Sequence, residues 1–246
     1  MSDTQQQAYR DDFEKFLSHT NEKEILFGEI IKEAEKRNAQ SLLDIGAGNG
    51  LLSIPLATHM ARYLAVEQKD SFVDKLRAAG LDTLHDSFPT HIEERFDIVL
   101  FSHSLSYGRK TRMDFEPFIR AAWDLVAPSG ELLIVTYKGQ EDDWTHLMER
   151  VGENPIDSNR VGYNTLIMLL NTLGEVKVHK VKSIVKTGTL EEMLYALSFV
   201  ASDGEPVKKE KFLEKRVRVE KILNSEYQVA GGIEFPFWHY LISTYK

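Results

Sequence analysis

Short runs of apolar residues alternate with amphipathic stretches through the first half of the chain. One amphipathic stretch predicts a helix that ends at Pro128-Ser129-Gly130, with its apolar face formed by Phe115, Phe118, Ile119, Ala122, Trp123 and Val126. The apolar runs are continuous rather than alternating, which is typical of parallel strands buried on both faces by helices. This pattern predicts an α/β fold with strands at 41–45, 63–67, 83–85, 97–101 and 132–135 and intervening helices at 51–60 and 71–79. Gly80 is expected to close the second of these helices.

The two ends of the chain have a different pattern. Residues 7–36 predict two helices that are interrupted by capping residues at 18–22. Thr189 and Glu192 form a capping box that predicts the start of a helix running to 200. The other elements expected after residue 137 are helices at 142–151, 164–173 and 206–224 and strands at 175–186 and 235–245.

The composition predicts one domain, or one domain with a subdomain, and we take residues 1–246 as a single domain. The chain is 42% hydrophobic and 28% charged, and no composition break divides it. It contains no cysteine, which excludes disulfides, thiolate metal ligands and cysteine nucleophiles. Its histidines are scattered, so no metal site is predicted.

Net charge and hydropathy limit the classes of partner that we expect for this protein. The net charge of −8 opposes binding to nucleic acid and is compatible with a small cationic substrate. The basic residues of 208–221 are interleaved with glutamates, as on a solvated helix face. No apolar run is long enough for a membrane span, and the N-terminus lacks the features of a signal peptide. We therefore expect a cytoplasmic protein with no membrane partner. The sequence makes no prediction about the oligomeric state.

The most informative motif is the glycine-rich stretch LLDIGAGNG at residues 42–50. A dinucleotide-binding turn requires a glycine where this chain has Leu51, and a phosphate-binding P-loop requires Lys-Ser/Thr, which is missing. The carboxylate of Asp44 would also repel a diphosphate. The motif therefore favours a nucleotide-like cofactor without a pyrophosphate.

Two further acidic positions follow the next strands. Glu67 ends the second predicted strand, 21 residues after Gly46. A carboxylate at this position can accept hydrogen bonds from both hydroxyl groups of a ribose. Asp86 and Ser87 follow the third predicted strand. They either bind the amino group of an adenine or form a turn without a ligand.

The order of LLDIGAGNG, YLAVEQ, LHDSF and FDIVLFSHSL resembles the class I S-adenosylmethionine-dependent methyltransferases. The resemblance implies a Rossmann-like fold with a seven-stranded, mostly parallel sheet in the order 3-2-1-4-5-7-6 and helices on both faces. It also implies an N-terminal helical cap at 1–37, a cofactor-binding core at 38–138 and a helical lid insert at 187–228 before the last strand.

The same resemblance implies S-adenosylmethionine (SAM) as the cofactor and S-adenosylhomocysteine as its product. The glycine loop would lie under the methionine part, Glu67 would hold the ribose and Asp86 the adenine. The full set of cofactor-binding residues that it implies is Tyr9, Phe13, Asp44, Gly46, Ala47, Gly48, Glu67, Gln68, Asp86, Ser87, Ser102 and His103.

The segment from Tyr9 to Glu22 is similar to the N-terminus of the histamine N-methyltransferase family. That likeness implies a small amine substrate contacted by Glu22, His103 and Tyr107, and the aromatic ring of Trp238 makes it a further candidate substrate contact. His103 is the candidate general base or orienting group, with a structural histidine as the alternative. Glu22 alternatively serves as a charge at a helix N-terminus. The aromatic residues that either line a substrate pocket or pack in the core are Tyr9, Phe13, Tyr107, Trp144, Phe237 and Trp238.

The sequence predicts a methyltransferase that acts on a small molecule, with an amine nitrogen as the acceptor, by in-line displacement. Ser102-His103-Ser104-Leu105 stands where the enzymes that methylate amino groups of DNA bases and of glutamine have Asn/Asp-Pro-Pro-Tyr/Phe. That class is disfavoured. Two alternatives remain: an O-methyltransferase of a metabolite or natural product, and a SAM-binding sensor or partner protein without transfer activity.

Overall fold

The chain is described from a computed structural model, which covers residues 3–105, 112–137, 142–152, 156–202 and 206–246. It divides into two compact units. The first, here called the helical unit, consists of Met1–Glu22, Glu141–Pro155 and Lys182–Trp238. The second, here called the sheet unit, consists of Lys23–Gln140, Ile156–Val181 and His239–Lys246.

A sheet with five parallel strands organises the sheet unit. Its strand order is β3-β2-β1-β4-β5-β8-β6, and β8 runs antiparallel to β5. The strands are β1 (Ser41–Ile45), β2 (Arg62–Glu67), β3 (Thr83–His85), β4 (Phe96–Ser102), β5 (Val126–Thr136), β6 (Val176–Thr187), β7 (Gln228–Val229) and β8 (Gly232–Tyr245).

The predicted α/β class and mostly parallel sheet are confirmed. Among the described residues the sheet has eight strands rather than seven, because β7 forms a short antiparallel pair with the beginning of β8. When β7 is set aside, the observed order is the predicted one. Both β6 and β8 contribute residues to each of the two units.

The helices of the sheet unit are α2 (Glu22–Arg37), α3 (Ser53–Ala57), α4 (Asp70–Ala78), α5 (Arg112–Asp124) and α7 (Ile156–Leu170); Glu22 itself falls in the helical unit. The helix predicted at 51–60 is much shorter than expected. Pro55 lies in its first turn, where a missing N–H removes no helical hydrogen bond. Gly80 closes α4 with φ of +82°, as its position after the helix predicted.

The boundary between α5 and β5 was wrongly predicted. The helix ends at Asp124, and Val126 already belongs to the strand, where it pairs with Phe96. The next pair along is Ile98 with Glu131, so residues 127–130 bulge out of the ladder. The turn residues Pro128-Ser129-Gly130 therefore interrupt a strand instead of separating a helix from one.

The helical unit contains α1 (Asp3–Ser18), α6 (Asp143–Arg150), α8 (Leu190–Ser202), α9 (Pro206–Leu213) and α10 (Arg216–Glu226). The single helix predicted at 206–224 is two helices. No glycine, proline or side-chain cap marks the break at Glu214-Lys215, so the charge pattern alone could not place it. The predicted capping box at the start of α8 is present: Thr189 and Glu192 exchange hydrogen bonds.

Each unit has its own apolar core. In the helical unit, Phe16 of α1 packs in one cluster with Met193 and Leu197 of α8 and with Phe235 of β8. The first helix of the predicted N-terminal cap thus shares a core with the predicted C-terminal insert. In the sheet unit, Leu26 and Ile30 of α2 pack with the strand residues. None of the described helices is long and apolar enough to cross a membrane.

Candidate cofactor and active site

The glycine loop follows β1 at the carboxyl edge of the parallel strands, and Asp44 anchors its beginning. The Asp44 side chain is 1% exposed and accepts hydrogen bonds from Ser53 Oγ at 2.6 Å and from the Tyr63 hydroxyl at 2.7 Å. Burial raises the pKa of the Asp44 carboxyl above its usual value, and these two hydrogen bonds oppose the rise. Through these two hydrogen bonds, Asp44 links the start of the glycine loop to α3 and to β2.

The glycines of the loop have different structural roles. A Cβ at Gly46 would lie 2.5 Å from Ser104 Cβ, so the segment after β4 packs directly on this residue. A Cβ at Gly48 would meet no protein atom within 4 Å, although its φ is +62°. Gly46 is thus required by packing. At Gly48 only the backbone conformation and the approach of a ligand favour glycine.

Glu67 joins the end of β2 to the glycine loop. Its Oε2 accepts a hydrogen bond from Gly48 N at 2.8 Å, and its Oε1 accepts from the backbone N–H groups of Gln68 and Lys69, both at 2.9 Å. The residue is 6% exposed. A carboxylate has about four acceptor sites, so three bonds leave capacity for a ligand hydroxyl.

Asp86 lies next to this position at the end of β3, since its backbone N–H donates to the Glu67 carbonyl at 3.1 Å. The Asp86 carboxylate accepts from the Thr90 hydroxyl and from Ser87 N. These hydrogen bonds, that of Thr90 first, hold the pKa of Asp86 below its usual value. The carboxylate remains exposed to solvent and ionised at neutral pH.

A cluster of three rings lies at the carboxyl ends of β4 and β5. His103 directly follows β4, and its Nε2 lies 3.1 Å from Nδ1 of His239 in β8. The Tyr137 ring stacks on His103 with centroids 4.4 Å apart and lies 5.3 Å from the His239 ring. His103 has φ of +54°, which is uncommon for a residue with a side chain, and its N–H donates to Val135 O.

Other residues that the sequence indicated lie in the helical unit. Phe13 is half-buried against Phe199, and Glu22 is 4% exposed at the first position of α2. Trp238 donates its indole N–H to Asp143 at 3.0 Å. Only the backbone of Tyr9 is described, and Tyr107 lies outside the described residues.

Sequence reasoning missed several residues of this region. Tyr63 and Ser53 hold Asp44, Ser104 packs on Gly46, and Tyr137 and His239 surround His103. The one available signal was His239, a histidine inside a run of apolar strand residues. A fully buried polar side chain in such a run needs a partner, and His103 is that partner.

The sheet order, the D-x-G-x-G-x-G loop after β1 and the acid at the end of β2 define a class I, SAM-dependent methyltransferase. The chain belongs to the family of the methyltransferase small domain, whose family model matches residues 25–164. SAM is accordingly its cofactor.

Solved structures show the same fold. The YcgJ protein of Bacillus subtilis is 16% identical, with a TM-score of 0.59 over 89% of this chain and 97% of that one. A putative methyltransferase from Bacillus halodurans is 15% identical, with a TM-score of 0.56 over 89% and 98%. The N-methyltransferase NodS of Bradyrhizobium japonicum is 12% identical, with a TM-score of 0.52 over 89% and 93%. No curated protein sequence matched significantly.

Proposed function

We propose that this methyltransferase transfers the methyl group of SAM to an amine nitrogen of a small molecule, with His103 as the proton acceptor. The observation that carries this proposal is the position of His103, next to Ser104, which packs on Gly46 of the glycine loop. An imidazole at this position adjoins the loop that the methyl donor occupies in this class.

The residues around the loop fit the donor. Glu67 keeps acceptor capacity for the ribose hydroxyls after holding Gly48 in place. Gly48 has no protein atom within 4 Å in the direction of a Cβ, so its backbone can be approached closely. We assign the adenine to Asp86 and Ser87, with Gln68, Asp44, Ala47 and Ser102 completing the site. The roles of Tyr9, Phe13, Glu22, Tyr107 and Trp238 stay predictions.

The chemistry requires a base of moderate strength. SAM supplies an electrophilic methyl group, and transfer forms a nitrogen–carbon bond while the carbon–sulfur bond breaks and leaves its electron pair on sulfur. An ammonium ion has no lone pair, so the acceptor must first lose a proton. The lone pair of a neutral imidazole nitrogen can take that proton.

Charge favours an amine over a neutral hydroxyl compound as the acceptor. The chain carries a net charge of −8, which attracts cations.

The proposal is tested with methyl-labelled SAM and a panel of small amines matched one by one with the corresponding alcohols and phenols. Mass spectrometry then locates the label. We expect label in amine products, and we expect His103→Gln to lower kcat about 100-fold or more, a larger effect than any loss of SAM affinity.

The same assay separates the alternatives. Label found only on oxygen would establish an O-methyltransferase. Tight SAM binding by calorimetry without transfer to any acceptor would favour a sensor or partner protein. A His103→Gln variant with normal kcat would remove His103 from the chemistry.

A further inference from the structure

We propose that His85 is a positioning residue of the cofactor site. It fixes the turn after β2 against the end of β3, so that Glu67 and Asp86 keep the separation that the adenosine part of SAM requires. The inference rests on the proposed assignment of the ribose to Glu67 and of the adenine to Asp86. In this role His85 does not itself contact the cofactor.

The first support is the position of His85 in the sheet. It is the last residue of β3 and pairs in the parallel ladder with Glu67, the last residue of β2. Asp86 follows directly, and its backbone N–H donates to the Glu67 carbonyl at 3.1 Å. His85 therefore lies where the segment that carries the ribose candidate meets the segment that carries the adenine candidate.

The second support is the pair of contacts that the His85 imidazole makes. Its Nε2 lies 3.3 Å from the Gln68 carbonyl oxygen and 3.2 Å from Oδ1 of Asp70. Gln68 belongs to the turn after β2, and Asp70 is the first residue of α4. The ring thus links the end of β3 both to the turn and to the helix that follows the turn.

The two acceptors determine which nitrogen of His85 carries the hydrogen. A carbonyl oxygen can only accept a hydrogen bond, and so can a carboxylate. Nε2 must therefore be protonated when the ring is neutral as well as when it is charged. The contact with Gln68 is thus a hydrogen bond in which the direction of donation follows from the chemistry of the partner.

The third support is that Glu67 holds the same turn from its other side. Glu67 Oε1 accepts from the N–H groups of Gln68 and Lys69, whereas His85 donates to the carbonyl of Gln68. Lys69 is the N-cap residue of α4, and its side chain has no acceptor that could cap the helix. Removal of the His85 ring would therefore loosen a turn on which the orientation of the Glu67 carboxylate depends, and binding would have to restore that orientation.

Calorimetric titration with SAM is the main test. His85→Leu removes the donor and keeps an apolar side chain, so we expect SAM affinity to fall about 3- to 10-fold. In His85→Gln the side-chain amide N–H can reach the position of Nε2, so we expect affinity within about twofold of wild type. A leucine variant with wild-type affinity, or a glutamine variant as weak as the leucine variant, would contradict the positioning role.

A shorter ligand locates the effect on the cofactor. 5′-Methylthioadenosine contains the adenosine part of SAM and lacks the amino-acid part. Because His85 acts on the turn next to Glu67, we expect His85→Leu to weaken 5′-methylthioadenosine and SAM by the same factor. A loss confined to SAM would place the effect at the amino-acid part and overturn the proposal.

His59→Leu is the matched control for His85→Leu. His59 is also an exposed histidine of the sheet unit, and its Nδ1 lies 3.1 Å from the carbonyl oxygen of Pro55 in α3. The His85 side chain is 40% exposed, so we expect similar melting temperatures for the two leucine variants. SAM affinity should fall only in His85→Leu, and equal losses in both variants would contradict a specific role for His85.

The protonation of the ring gives a test that needs no variant. 15N NMR of labelled histidine, at a pH where His85 is neutral, should show a hydrogen on Nε2 and none on Nδ1. The opposite tautomer would overturn the proposal, because Nε2 could not then donate to Gln68.

Failure of the proposed function gives a different set of results. If no amine is methylated but His85→Leu weakens SAM binding and His85→Gln restores it, the positioning role stands. If Glu67→Gln weakens SAM binding and His85→Leu does not, the ribose assignment stands and the role of His85 is refuted. Unchanged SAM affinity in both variants would overturn the assignment of the adenosine and the positioning role together.

Discussion

Gly48 N donates a hydrogen bond to Glu67 Oε2 over 2.8 Å, so the carboxylate assigned to the ribose also fixes the glycine loop. The same side chain holds the turn after β2 through the N–H groups of Gln68 and Lys69. Binding of the ribose therefore needs little rearrangement of the protein, because the carboxylate is already oriented. Preorganisation of this kind lowers the cost of binding.

We expect Glu67→Gln to weaken SAM binding about 10- to 100-fold, since hydrogen bonds to a charged acceptor contribute roughly 1.5–3 kcal/mol. Isothermal titration calorimetry with SAM or S-adenosylhomocysteine measures the change.

Asp97→Asn is the matched control for Glu67→Gln. Asp97 accepts hydrogen bonds from the backbone of Gln40 and Ser41, but it lies at the amino end of β4. Its replacement should lower the melting temperature and leave SAM affinity unchanged. Equal affinity losses in the two variants would indicate a general loss of structure instead of a lost ribose contact.

Comparing Gly48→Ala with Gly80→Ala distinguishes the loss of space for the cofactor from the strain of the left-handed backbone conformation. Gly48 and Gly80 both have positive φ, and in both a Cβ would meet no protein atom within 4 Å. Alanine at either position costs about 1–2 kcal/mol of stability for the left-handed conformation. We expect similar melting temperatures for Gly48→Ala and Gly80→Ala, with SAM affinity lost only in Gly48→Ala. Normal affinity in Gly48→Ala would mean that no ligand approaches this residue.

Glu131 predicts a pH dependence of stability. The side chain is fully buried, and burial raises its pKa to about 7, against the opposing charge of Arg37 at 3.4 Å. Glu33, Lys36 and Ser243 also act on it, with smaller effects. In the unfolded chain the carboxyl group ionises near 4.5. Between these values the native state binds more protons, so the free energy of unfolding falls as the pH rises.

We therefore expect Glu131→Gln to match wild type near pH 5 and to be more stable at pH 8. The gap between 4.5 and about 7 corresponds to roughly 3 kcal/mol at most. Urea unfolding at several pH values measures the difference. Glu94→Gln, which removes an exposed partner of Arg62, should have the same effect at pH 5 and pH 8. If the free energy of unfolding of Glu131→Gln depended on pH in the same way as that of wild type, a raised pKa of Glu131 would be excluded.

The capping box of α8 predicts a stability effect in the helical unit. Thr189 Oγ1 accepts from Glu192 N at 3.2 Å, and Glu192 Oε2 accepts from Thr189 N at 3.0 Å. Thr189→Ala should destabilise the protein by about 1 kcal/mol, and Thr189→Ser should retain most of the stability. Denaturant unfolding measures both. An alanine variant as stable as wild type would show that the cap contributes nothing.

The sequence by itself determined the class and the cofactor. The glycine loop and the turn at Asp86 each follow a predicted strand, Glu67 ends another, and the carboxyl ends of parallel strands share one edge of a sheet. Their proximity therefore follows from local patterns. The strand order was also predictable once the family resemblance was recognised. The capping box and Gly80 were correctly placed because caps depend on a few neighbouring residues.

Only the tertiary structure decided which remote residues meet. The pairing of His103 with His239, and of Asp44 with Tyr63, depends on strand register, which is set by packing of the whole sheet. The break between α9 and α10 has no local marker, and the helical unit assembles three separate segments of the chain. Hydrophobic periodicity and capping are local signals, whereas these contacts arise from burial of side chains that are distant in sequence.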